Sequence, residues 1–220
     1  MTNAYLRALV AEAIGTFALV FAGCGAIMVD ARTHQLGHVG IALSFGLVIL
    51  VMIYAVGHVS GAHFNAAVTF AFALTRHFAW RRAVGYWAAQ LTGAVAAAAV
   101  LRGSLGNVAH VGATLPSGSQ AQSFLWEAVM SGFLMFVILA VATDTRAVGE
   151  AAAIAIGATI GLDAMFGGPI SGASMNPARS LGPGLVSGDL HAVWLYVAAP
   201  ILGTSFGGLA YQFIRGGTPS

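Results

Sequence analysis

The chain has 220 residues, of which 58% are hydrophobic and only 7% charged, against about 25% charged in a soluble domain. So little charge excludes a water-facing surface and places the chain in a membrane. Nine arginines, no lysine and a net charge of +2 are too little and too scattered for nucleic-acid binding, and the single Cys24 excludes an internal disulfide and a multi-cysteine metal site.

A spanning helix needs about 20 mainly apolar residues. Six stretches qualify in chain order: about 4–29, 39–59, 82–101, 123–143, 150–166 and 192–215. The first is too long for a cleaved leader and reads as a helix that stays. Two shorter apolar pieces remain, 64–75 and 176–187. As helices each would cross about half a bilayer core.

Both short pieces follow one phrase in two forms. The second is Ser171-Gly172-Ala173-Ser174-Met175-Asn176-Pro177-Ala178-Arg179-Ser180, and the first is Ser60-Gly61-Ala62-His63-Phe64-Asn65-Ala66-Ala67. Asn176 is a good N-cap and Pro177 falls at the first helical position, where its missing N–H costs nothing. Arg179 then sits in a first turn, where a cation opposes the helix dipole. Tyr86-Trp87-Ala88-Ala89 and Tyr196-Val197-Ala198-Ala199 repeat at nearly the same offset. The chain therefore reads as two copies, about 1–105 and 121–216, within one transmembrane domain over 1–220.

Three spans per copy is an odd number, so the second copy enters from the opposite side. The expected fold is all-α, with six spanning helices and two re-entrant half-helices in an inverted 3+3 repeat. Short, Gly- or Pro-interrupted segments at matching places in two halves point to a transport site. With the N-terminus inside, Arg7, Arg76, Arg81, Arg82, Arg146 and Arg215 are cytoplasmic and Arg32 and Arg102 external, in line with the positive-inside rule. Both termini are then cytoplasmic. The longest connection, about 103–122, is an external loop and carries no charge. The short loops and tails suggest a bacterial inner membrane.

The phrases Glu12-Ala13-Ile14-Gly15-Thr16-Phe17, Gly57-His58-Val59-Ser60-Gly61-Ala62-His63-Phe64-Asn65 and Asn176-Pro177-Ala178-Arg179-Ser180 closely resemble the signatures of the aquaporins, the major intrinsic proteins. Gly168-Pro169-Ile170-Ser171-Gly172-Ala173-Ser174-Met175 is most similar to the nodulin-like branch and its bacterial relatives. The resemblance implies a homotetramer with one pore per subunit; no cofactor is expected, and no His/Asp/Glu set has metal-ligand spacing. Its partners would be water, small neutral solutes and the lipid bilayer. Asn65 and Asn176 would hold side-chain N–H groups into the pore. Gly61, Ala62 and His63, and Gly172, Ala173 and Ser174, would line it with carbonyls. Glu12 and Glu127 would brace the two re-entrant loops. Phe45, Ala164, Ala173 and Arg179 would form the outer filter. One departure is plain: the first motif reads Asn-Ala-Ala, because Ala66 stands where the family has proline. A slightly looser first half-helix is expected.

The expected function is passive flux of water and small uncharged solutes such as glycerol, boric acid or arsenous acid. Two alanines in the filter leave width and few donors. Ser180 weighs against a dedicated glycerol facilitator, which usually has aspartate there. Rival readings are a strictly water-selective channel, a proton-coupled transporter using Asp163 or Glu12, and a structural protein with a closed pore. No nucleophile motif is present, and an enzyme is not expected. By spacing alone Phe45 is a core aromatic, and His63 is either structural or pore-lining. Asp163 is an acid inside a span, a functional position by default. It could accept hydrogen bonds from a loop, be protonated at a subunit contact, or face the pore.

Overall fold

The structure, a computed structural model, describes residues 3–143 and 151–216. Arg146 and Glu150 lie outside the described residues. Among these residues all regular structure is helical, in the order α1 (Asn3–Thr33), α2 (Gly37–Ser60), α3 (Ala66–Leu74), α4 (Trp80–Leu105), α5 (Ala109–Gly112), α6 (Gln120–Ala142), α7 (Ala152–Ser171), α8 (Pro177–Ser187) and α9 (Leu195–Arg215). Helices α1, α2, α4, α6, α7 and α9 are long and apolar enough to cross a membrane. The half-helices α3 and α8 have 9 and 11 residues. The short α5 is a left-handed turn, with φ of 50° at His110 and 58° at Val111. The fold is the inverted 3+3 arrangement of six spans and two half-helices.

The fifth span is longer than expected, running to Ser171 instead of residue 166. Pro169 lies inside its last turn and cannot donate to the Met165 carbonyl four residues back. His38 Nε2 donates to that carbonyl instead, at 2.6 Å. With the orphan acceptor satisfied, the helix continues until Gly172, whose φ of 86° ends it. Gly61 ends α2 in the same way, at φ 85°.

The broadest helix contacts are α6 with α9, α1 with α4, and α2 with α7. Each rests on glycine: a methyl at Gly203, Gly93 or Gly46 would strike the backbone of Ala128, Ala13 or Gly157. In lipid, burial of apolar side chains between helices drives little, and close backbone approach supplies the dispersion energy. Large apolar side chains such as Val84, Phe206 and Phe213 point outward instead, away from the helix contacts.

The half-helices are exchanged between the copies. α3 packs most on α9, and α8 most on α4. Thr204 Oγ1 donates to Ala67 O at 3.1 Å and Gln212 Nε2 to Thr75 O at 2.8 Å, tying α9 to both ends of α3.

Candidate functional site: a cavity where the half-helices meet

Each half-helix starts at an asparagine. Asn65 has φ −148° and ψ 124°, and its Oδ1 accepts from Ala67 N at 2.9 Å and Val68 N at 3.4 Å. Asn176 has φ −149° and ψ 109°, and accepts from Ala178 N at 3.0 Å and Arg179 N at 3.4 Å. The two caps match although only the second has proline after it.

The backbone before each cap is bent in the same pattern. Gly61, Ala62 and Phe64 have φ of 85°, 50° and 47°; Gly172, Ala173 and Met175 have 86°, 42° and 52°. A non-glycine residue held there costs about 1–3 kcal/mol and persists only where its surroundings over-determine it. Here two carboxylates do so. Glu12 Oε1 accepts from Ser60 Oγ at 2.7 Å and His63 N at 2.9 Å, and its Oε2 from Phe64 N at 2.7 Å and Gln90 Nε2 at 2.8 Å. Glu127 Oε1 accepts from Ser171 Oγ at 2.7 Å and Ser174 N at 2.8 Å, and its Oε2 from Met175 N at 2.7 Å. Hydrogen bonds to a charged group stabilise by about 1.5–3 kcal/mol each.

With their N–H groups turned to these carboxylates, the loops leave carbonyls over. Among the described residues nothing donates to the carbonyls of Gly61, Ala62, His63, Gly172, Ala173 or Ser174. Those of His63, Ala173 and Ser174 belong to buried residues, and buried backbone acceptors need partners.

A cavity of about 100 Å³ runs along the two loops. Gly61, Ala62, His63, Asn65, Ala173, Ser174 and Asn176 line it, as do Phe45, Ala164 and Arg179. Nine expected positions therefore converge with Asn65 on one space. Gly172 does not line it; its backbone lies against Thr114, which a Cβ would meet at 3.1 Å. Glu12 and Glu127 stand behind the loops, fully buried. The rest of the wall is largely aliphatic, from Leu19, Ile49, Ile53, Leu134, Ile138, Ile156 and Ile160. His63 lines the cavity and is also packed structurally: its Nδ1 lies 3.0 Å from Thr69 Oγ1 and its ring 4.6 Å from that of Phe72.

Arg179 is 2% exposed. Its Nη1 donates to Gly112 O at 3.0 Å, its guanidinium carbon lies 5.0 Å from the Phe45 ring centre, and its Nε is buried with no partner. The loop that carries Gly112 is bonded to the second half at alternate residues. His110 Nδ1 pairs with Asp189 at 3.0 Å, and Thr114 Oγ1 donates to Ser180 Oγ at 2.7 Å. The Ser180 and Ser174 hydroxyls are 2.5 Å apart, and Ser174 Oγ donates to Asn176 O at 2.9 Å. The connection itself contains no Asp, Glu, Lys or Arg, and its His110 meets Asp189 of the second half.

Several site residues had no role in the sequence reading. Tyr86 and Tyr196 donate to the Ser60 and Ser171 carbonyls at 2.7 and 2.6 Å. Their signal was present, since the repeat already paired them. Gln90, Gly112 and Thr114 had none. Asp163 is fully buried in α7 and neither oxygen has a partner, so the expected loop donors are absent among the described residues. It does not line the cavity.

Comparison with known proteins agrees with this geometry. The family model described as "Major intrinsic protein" matches residues 1–211. Aquaporin NIP1-1 of Oryza sativa subsp. japonica is 49% identical over 213 residues, spanning 96% of this chain and 75% of that protein. Nodulin-26 of Glycine max is 48% identical over 213 residues, spanning 96% and 79%. The crystal structure of the aquaglyceroporin from Plasmodium falciparum matches at TM-score 0.84 and 26% identity, covering 96% of this chain and 97% of that one.

Proposed function

The chain belongs to the major intrinsic protein family, and on that premise we propose a passive channel whose wide outer filter admits small uncharged polyhydroxy solutes as well as water. That it is a multi-pass membrane channel for water and small solutes, and not an enzyme, follows from the family. The solute range is the proposal: glycerol, boric acid and arsenous acid. The observation that carries it is the convergence of Phe45, Ala164, Ala173 and Arg179 on one cavity, two of them methyl walls beside an arginine with an unpartnered Nε.

A solute leaving water must not lose its hydrogen bonds, because each unsatisfied group costs several kcal/mol in hydrocarbon. The free carbonyls of the five loop residues that line the cavity, Gly61, Ala62, His63, Ala173 and Ser174, accept from it in file, and the asparagine amides donate at the centre. The aliphatic wall binds nothing and holds the solute to one side. Two half-helix N-termini put positive potential at that point, which repels cations and opposes a proton wire. Arg179 adds charge and donors at the filter. Flux needs no energy source and no covalent step.

The same reading includes one channel domain over 1–220, with copies at about 1–105 and 121–216. The exchange of half-helices between copies supports a single unit. It also includes a homotetramer and cytoplasmic termini. The relatives named above from rice and soybean are plant proteins and lend no support to a bacterial inner membrane.

Stopped-flow light scattering on proteoliposomes tests the proposal, comparing an impermeant osmolyte with glycerol and boric acid, with arsenous acid uptake followed separately. Fast water and solute flux without accumulation against a gradient is expected. Water flux alone would overturn the wide filter, and gradient-driven accumulation would favour proton coupling.

A further inference from the structure

Phe45 is seated on α1 in a way that the filter alone does not explain. Its ring lies against Gly23. A Cβ there would fall 2.5 Å from the ring's Cζ and closer still to Cδ1 and Cε1, inside the 3.0 Å that real Cβ atoms essentially never breach. The ring fills the space a side chain would have taken. Gly23 is buried and does not line the cavity, whereas Phe45 does. On another side of the ring stands the Arg179 guanidinium. The same face of α1 repeats the device two turns earlier, where Gly15 receives the ring of Phe64.

We propose that Gly23 is a specificity-determining residue of the channel: by lacking a side chain it recesses the Phe45 ring into α1 and sets the width of the outer filter. The proposal rests on the reading of Phe45 as a filter wall. A methyl at Gly23 would drive the ring outward by about 1.5 Å to restore ordinary contact. Water is about 2.8 Å across, from its 1.4 Å radius. A displacement of that size in one wall penalises a polyol far more than a water molecule. Gly23 touches no solute; it acts through the ring.

The test compares wild type, Gly23→Ala, Phe45→Val and the double variant in proteoliposomes, reading glycerol and water permeability of each. Gly23→Ala is expected to lower the glycerol-to-water ratio by about tenfold, equivalent to about 1.4 kcal/mol. The double variant is expected to return to the ratio of Phe45→Val. If Phe45→Val raises the ratio while Gly23→Ala leaves it at the wild-type value, the proposal is overturned and the filter reading stands. If Phe45→Val changes nothing, the filter reading falls and the proposal with it. Should Gly23→Ala fail to fold, the double variant decides. A ratio equal to that of Phe45→Val supports action through the ring, and a lower one overturns it.

Discussion

Asn65 Nδ2 donates to the Met175 carbonyl at 2.7 Å, across 110 residues of sequence. Asn176 Nδ2 returns the bond to the Phe64 carbonyl at 2.8 Å. An asparagine amide has one oxygen and two N–H groups. In each half the oxygen caps a half-helix and one N–H crosses to the other half. One N–H per asparagine is left for the cavity that both residues line. These remaining N–H groups are therefore aimed by a reciprocal brace, and the proline of the second motif is not needed to aim them.

Ala66→Pro should stabilise the protein. Ala66 occupies the first helical position, its N–H bonds nothing among the described residues, and Asn65 already has the extended backbone that precedes proline. Proline there removes freedom from the unfolded chain, worth about 0.4–1 kcal/mol. The looseness expected of the first half-helix is thus a matter of chain entropy, since the two caps have the same geometry. Thermal unfolding in detergent should show a higher midpoint with unchanged water and glycerol permeability. A lower midpoint would mean that the cap needs alanine.

Thr114→Val should weaken the second re-entrant loop. Thr114 donates to Ser180, whose hydroxyl meets that of Ser174 beside the Asn176 carbonyl. Removing the first donor leaves Ser180 Oγ with only Ser174 as partner and costs about 0.5–1.5 kcal/mol. Thr114→Ser keeps the hydroxyl and should recover most of the loss. Equal unfolding midpoints for the valine and serine variants would show that the hydroxyl chain contributes nothing.

Asp163→Asn should leave flux intact. The carboxylate is buried, unpartnered and away from the cavity. An unpaired buried carboxylate is costly, and an amide of the same shape removes its charge. Glycerol and water permeability should stay within about a factor of two, under about 0.5 kcal/mol. Solute uptake driven by a pH gradient in wild type and absent from Asp163→Asn would give this residue a coupling role instead.

The sequence by itself determined the membrane class, the six spans, the two half-helices and the caps at Asn65 and Asn176. Those signals are local: hydropathy acts over about 20 residues, a cap over four, and the repeat doubles both. The resemblance added Glu12, Glu127 and the four filter positions, and the tertiary structure put those four around one cavity. It alone placed Gly112 and Thr114 against α8, 67 and 66 residues away. It gave Glu12 a fourth donor in Gln90 where Glu127 has three, since Pro200 follows Tyr196 at the offset of Gln90 from Tyr86. It also seated Phe45 on Gly23. These contacts join side chains or carbonyls between elements, and no periodicity along the chain marks which residues packing will bring together.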